Sequence, residues 1–156
     1  MVGKIDKNYL NYLKKIIYKY KIKDLVHFVG PKKQEELRDY YINSYMVVVP
    51  SEWVEQFGIV GLEALACSTP VVGSNVGGIP EWLKDKKNGL LFERGNIQDL
   101  KEKIIFLLEN PEKAEKYGKK GRLMVEKRFS KEKHIKKLIK IYKKLLSKNT
   151  SLLDSI

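Results

Sequence analysis

Residues 46–72, MVVVPSEWVEQFGIVGLEALACSTPVV, decide the architecture. A short apolar run, Met46 to Val49, reads as a strand stopped by Pro50, which has no N–H for a ladder. A polar loop follows, and Phe57-Gly58 opens a helix whose residues are apolar except for Glu63. That helix ends near Cys67, Ser68 and Thr69, and Pro70 begins a second strand at Val71 and Val72. The first turn of any helix leaves its N–H groups without intrahelical partners. Here those groups belong to Phe57, Gly58, Ile59 and Val60. Together with the helix dipole they favour an anion, and a glycine lets a phosphate approach the backbone closely. Two carboxylates, Glu55 in the loop and Glu63 within the helix, stand around this start with seven residues between them. An ionised carboxylate in apolar company needs a hydrogen-bonding partner, and the hydroxyls of a sugar or ribose would supply one.

Outward from this stretch, helical spacing predicts a helix from Asp6 to Tyr20, with Asp6 as its cap. Val26 to Val29 reads as a strand ended by Gly30-Pro31, and Gln34 to Ser44 as a helix. Val2-Gly3 reads as the end of a strand. Beyond the central stretch, Gly77-Gly78 leads into a short helix through Leu83, Asn88-Gly89 marks a turn, and Gly89 to Phe92 is a last short strand. Three helices are expected after that. One is capped by Asn96 with Ile97, Leu100, Ile104, Leu107 and Leu108 facing inward, and one starts at Pro111. The last is capped by Ser130, with an apolar row from Ile135 to Leu146 that could pack on its own sheet, meet a partner surface or lie on anionic lipid. Apolar strands alternating with helices imply an α/β fold, an open parallel sheet with helices on both faces. Residues 1–147 are expected to form a single domain and 148–156 a frayed tail. Ligands of such sheets sit at the carboxyl ends of the strands, where Gly30, Pro50, Ser74 and the Glu55 loop all fall.

Composition narrows the function classes. The 156 residues carry a formal net charge of +12, yet only four of the 31 basic residues are arginines. Arginine is the usual reader of phosphates and bases, and the lysines are spread over the first helix and the three last ones rather than gathered in one stripe, so nucleic acid is not the expected partner. The single cysteine excludes an internal disulfide and a cysteine-based zinc site, and the two histidines lie far apart. Cys67 is expected to be a small buried hydrophobe. No metal site is expected. There is no apolar stretch long enough to span a bilayer, so a cytoplasmic location is expected, with peripheral contact to a membrane face.

Ser51, Glu55, Phe57-Gly58, Leu62-Glu63-Ala64, Pro70-Val71-Val72, Gly77-Gly78, Glu81 and Gly89 together resemble, in order and spacing, the donor-binding half of retaining glycosyltransferases of family 4. The resemblance implies a Rossmann-like domain, the C-terminal half of a GT-B fold. It implies that Glu55 contacts the transferred sugar in the catalytic site and that the amides of Phe57, Gly58, Ile59 and Val60 hold the sugar and diphosphate. Glu63 would hold the ribose hydroxyls, and Gly30, Pro31 and Lys32 would lie near the nucleobase. The implied reaction passes a hexose from a UDP- or GDP-linked donor to a hydroxyl of a glycan or lipid acceptor, with no cofactor. An acceptor domain, N-terminal or supplied as a separate half-enzyme chain, would complete the site, and the chain alone is expected to be inactive or nearly so. The family usually carries glycine at the position of Ser68, which implies a slightly altered helix exit here.

Two other readings stand beside it. Glu55 and Glu63 could be the paired carboxylates of a glycoside hydrolase, which in retaining enzymes lie about 5–5.5 Å apart. The net charge could mark a non-enzymatic basic domain that binds nucleotides or nucleic acid.

Overall fold

A computed structural model describes the backbone of residues 1–153 and the side chains of residues 1–146. The chain divides into two compact units, Met1–Tyr40 and Tyr41–Ile156, and the sheet is built within the second.

In the first unit, helix α1 spans Lys7–Lys19. Asp6 caps it as expected, its carboxylate accepting from the N–H groups of Asn8 at 2.8 Å and Tyr9 at 3.2 Å. Leu10, Leu13, Ile16 and Ile17 are half-buried, while Tyr9, Tyr12, Tyr18 and Tyr20 stand exposed. The expected strand at 26–29 does not form. Its extended backbone finds partners only in residues 1–3, through Val29 N–H to Met1 O and Gly3 N–H to Gly30 O, both 2.9 Å. That makes one parallel bridge, Val2 with Gly30, rather than a ladder. Helix α2, Gln34–Ile42, ends two residues earlier than expected.

The second unit holds strands β1 (Val47–Val49), β2 (Val71–Ser74) and β3 (Leu90–Phe92), all parallel, in the order β1-β2-β3. Helix α3 (Ile59–Ala66) joins β1 to β2, and the short α4 (Ile79–Trp82) joins β2 to β3. Helices α5 (Ile97–Glu109), α6 (Pro111–Phe129) and α7 (Lys131–Leu153) follow. Val71 and Gly73 of β2 face α4, for a Cβ on Gly73 would lie 3.1 Å from Ile79 and closer still to Leu83. Val72, one residue on and so on the opposite face, clusters with Leu90, Phe92, Leu107 of α5, and Ala114 and Tyr117 of α6. Helices therefore cover both faces of an open parallel sheet, the expected fold class. Fully buried Trp82, Leu65, Ile79, Leu83, Val71 and Val72 contribute about 1.5–3 kcal/mol each from removal of apolar surface from water.

Helix α6 packs on α3 through its smallest side chains. Its buried face is Ala114, Tyr117, Gly118 and Gly121, and a Cβ on Gly118 would collide with the Ser68 carbonyl oxygen. Ser68 itself is left-handed, at φ +63°. The N–H of Thr69 bonds back to Ala64 O and that of Ser68 to Leu65 O, the helix ending that glycine normally provides. The exit is thus the glycine type and not an altered one. Cys67, the C-cap of α3, is half-buried rather than buried.

Two expected caps are present, Asn96 on Asp99 N–H at 3.0 Å and Ser130 on Lys133 N–H at 3.4 Å, and Pro111 opens α6 as expected. On α5 only Leu107 is buried, and Ile97 and Leu108 are exposed. Leu108 sits about 100° around the helix from Leu107, so both cannot face one sheet. Every described side chain of α7 is exposed, including Ile135, Leu138, Ile139, Tyr142, Leu145 and Leu146. The helix reaches Leu153, into the region expected to be a tail, and residues 154–156 of that region lie outside the described residues.

Candidate functional site

A cleft of about 480 Å³ opens at the carboxyl end of β1. Its walls include Val49, Pro50 and Ser51 at the strand end, Glu55 and Gln56 in the loop, and Phe57, Gly58, Ile59 and Val60 at the start of α3. Five residues singled out by sequence, Glu55 and 57–60, therefore line one space. Gly58 caps α3 in the left-handed region at φ +75° with no side-chain cap. Among the described residues, the N–H groups of Phe57, Gly58, Ile59 and Val60 donate to no protein acceptor. Four unpartnered amides at the positive end of a helix suit an anion of phosphate size. Glu55 is half-buried and accepts a long bond, 3.4 Å, from Ser51 Oγ. Its remaining lone pairs can accept from a polyhydroxylated ligand.

Three supports hold this turn in shape, and none of them is local. The backbone N–H of Gly78 donates to Glu55 O at 2.8 Å. Gly77, at φ +55°, and Gly78 pass so close beneath the loop that a Cβ on either would collide with the carbonyl oxygen of Glu55 or Gln56. The indole N–H of Trp82 donates to Phe57 O at 2.5 Å, and the Phe57 ring meets Phe129 edge-on with centroids 5.6 Å apart. Arg128, next along α6, lies over the Phe129 ring and donates to Glu81 O at 3.1 Å.

Glu63 lies one turn further along α3 than Ile59 and is not part of the cleft wall. Residues four apart share a helix face, so Glu63 lies on the face of α3 that carries Ile59 at the cleft. It is half-buried, and its partner is Tyr41, whose hydroxyl donates to Glu63 Oε2 at 2.9 Å. Burial, and next the neighbouring Glu63, push the Tyr41 hydroxyl well above the ordinary tyrosine range, so it stays a donor. Gly30, Pro31 and Lys32 lie in the first unit. There Gly30 is left-handed at φ +75°, and Lys32 Nζ pairs with Glu36 at 3.0 Å. Among the described residues no cluster of three His, Cys, Asp or Glu side chains is placed to hold a metal ion.

Sequence reasoning found the cleft wall but missed Tyr41, Trp82, Arg128 and Phe129. The glycine pair at 77–78 was a visible signal for a close backbone approach. Nothing in the sequence pairs Tyr41 with Glu63, 22 residues away.

Residues 1–124 match the family described as Glycosyl transferases group 1. The chain belongs to this family. It is 39% identical over 120 residues to the uncharacterized glycosyltransferase MJ1178 of Methanocaldococcus jannaschii, covering 77% of this chain and 34% of that protein. Among solved structures, sucrose-phosphate synthase from Thermosynechococcus elongatus superposes with a TM-score of 0.85 at 32% identity, covering 94% of this chain and 38% of that one. A mutant of TarM from S. aureus, solved with UDP, fondaparinux and alpha-GlcNAc-glycerol, superposes with a TM-score of 0.76 at 26% identity, covering 85% of this chain and 26% of that one. This group 1 glycosyltransferase chain thus spans well under half the length of each of these relatives. No helix among its described residues is long and apolar enough to cross a membrane. Of the two carboxylates required by the hydrolase reading, only Glu55 faces the cleft.

Proposed function

We propose that this chain is the donor-binding, C-terminal half of a retaining family 4 glycosyltransferase, one that transfers a hexose from a UDP- or GDP-linked sugar to a hydroxyl of a glycan or lipid. The observation that carries the reading is the cleft itself, lined by Glu55 and by the four residues at the start of α3 whose amides have no protein acceptor. The amides of residues 57–60 receive the diphosphate, Glu55 accepts hydrogen bonds from hydroxyls of the sugar, and Glu63 accepts them from the ribose. The acceptor oxygen bonds to the anomeric carbon as the bond from that carbon to the phosphate oxygen breaks. The proton of the acceptor passes to the departing nucleoside diphosphate, and the protein supplies no nucleophile and no cofactor.

TarM, a fold relative, was solved with UDP, and the name of sucrose-phosphate synthase describes making a sugar phosphate. An acceptor domain completes the enzyme, and the exposed apolar row on α7 suits a covering surface of that kind. A cytoplasmic site of action, with contact to a membrane face through the lysine-rich surface, accords with the net charge of +12. Calorimetry with UDP, GDP and ADP tests the proposal: one of the three should bind, and Glu63→Ala should weaken it. Absence of binding by all three, or a Glu63→Ala protein that binds as well as wild type, would sink it.

A further inference from the structure

We propose that Tyr41 is a positioning residue that sets the ribose selectivity of the donor site by holding one carboxylate oxygen of Glu63, so that the other faces the ribose hydroxyls. This rests on the reading of Glu63 as the ribose ligand.

The geometry is a closed ring. Tyr41 is buried, and its hydroxyl donates to Glu63 Oε2 at 2.9 Å. At the other end of the same residue, its carbonyl oxygen accepts from Thr69 Oγ1 at 2.7 Å. Thr69, also buried, is tied through its own N–H to Ala64 O at 3.0 Å, the residue after Glu63. The helix that carries the carboxylate therefore anchors, at its own C-terminal end, the residue that orients that carboxylate. Movement of α3 carries Tyr41 with it, and the hydrogen bond is preserved.

An unanchored glutamate has three rotatable bonds and loses that freedom when it grips a ligand. Held by Tyr41, the carboxylate meets the ribose already ordered. A carboxylate has about four lone-pair sites, and the tyrosine takes one, so two vicinal hydroxyls can still be accepted. A hydrogen-bonding site rejects an analogue that lacks the hydroxyl because its acceptor is left unpaired. Tyr41 thus sharpens the choice of ribo- over 2′-deoxyribonucleotide without touching either.

The test uses the full 156-residue chain and titrates UDP, GDP and ADP beside their 2′-deoxy counterparts. Tyr41→Phe keeps the ring and removes only the hydroxyl; thermal unfolding confirms that the variant is folded. Its affinity for the ribonucleotide should fall by roughly three- to tenfold, the effect of ordering one free side chain on binding, while the deoxynucleotide, which offers Glu63 only its 3′-hydroxyl, should lose less. Equal losses for both ligands, or no loss for either, would overturn the role of Tyr41 and leave the donor site standing. Wild-type protein that binds none of the six would instead overturn the donor-site reading, and this inference with it.

A second variant reads the same device through the glutamate. In Glu63→Gln the tyrosine claims the amide oxygen and turns the NH2 group toward the ribose, so ribonucleotide preference should drop. Adding Tyr41→Phe frees the amide to rotate, and part of the preference should return. A purely structural tyrosine would give further loss in the double variant, which would count against the proposal.

Discussion

The indole N–H of Trp82 reaches the carbonyl oxygen of Phe57 at 2.5 Å, joining α4 to the residue that begins the turn into α3. Trp82 is fully buried, and a Cβ on Gly61 of α3 would lie within 3.0 Å of its ring or closer. One side chain therefore sets both the spacing of α4 from α3 and the height of the turn above the sheet. Trp82→Phe should remove the donor and leave the Phe57 carbonyl unsatisfied, lowering stability by about 1–3 kcal/mol. Urea unfolding measures that loss. Calorimetry should show weaker nucleotide binding, because the amides of residues 57–60 lose their fixed aim.

Gly77 and Gly95 are both left-handed, at φ +55° and +76°. A Cβ on Gly95 meets nothing within 4 Å, whereas one on Gly77 runs into the Glu55 backbone. Gly95→Ala should therefore cost only the left-handed penalty, about 1–2 kcal/mol. Gly77→Ala should cost more than that and should also displace Glu55 from the cleft. Parallel unfolding curves and nucleotide titrations of the two variants separate strain from collision; equal effects would contradict the close approach.

Ser68 holds a conformation that suits glycine. Ser68→Gly should raise stability by about 0.5–1 kcal/mol, since relief of the left-handed strain outweighs the extra freedom of the unfolded chain. A small rise in the melting temperature, with unchanged nucleotide binding, is the expected result.

Gly118 and Gly121 both lie where α6 crosses α3, but they meet different neighbours. A Cβ at 118 faces the rigid Ser68 carbonyl and Pro70, and one at 121 faces the Leu65 side chain. Alanine raises helix propensity by about 1 kcal/mol at either place. Gly118→Ala should nonetheless be clearly destabilising, because backbone cannot yield, and Gly121→Ala should be the milder of the two. Denaturant midpoints of the pair give the ranking.

Alkaline pH should expose the Tyr41–Glu63 contact. The folded chain raises the pKa of Tyr41, first through burial and then through Glu63. The unfolded chain releases that proton near pH 10, before the folded chain does. The contribution is therefore complete below about pH 10 and is lost as pH rises above it, by at most about 1.4 kcal/mol per pH unit. Tyr117, raised by burial and then by Asp85, adds a loss of the same sign. Urea midpoints measured between about pH 8 and about pH 11 should fall less steeply for Tyr41→Phe than for wild type.

Strand β1, helix α3 and strand β2 stand within one or two residues of where residues 46–72 place them. So do the caps at Asp6 and Asn96. The left-handed Ser68 occupies the place where glycine is usual, and the change of residue left the helix ending intact. The segment at 26–29 misled, because an extended apolar run needs a paired neighbour to become a strand, and composition does not supply one. The apolar face of α5 was drawn too wide for the same kind of reason: Ile97 and Leu108 fit a helical count but not the one direction in which the sheet lies.

By itself, then, the sequence determined most of the elements, the caps at Asp6, Asn96 and Ser130, and part of the cleft wall, Glu55 and residues 57–60. Each of these depends on interactions between residues a few positions apart, through backbone conformation, side-chain period and the unpaired amides of a helix start. Only the tertiary structure decided what holds that wall, Gly77 and Gly78 beneath Glu55, Trp82 on Phe57, and Arg128 and Phe129 at the end of α6, and what pairs with Glu63, which is Tyr41. Those contacts arise where elements cross, and their partners are set by crossing angle and distance, which no local pattern encodes.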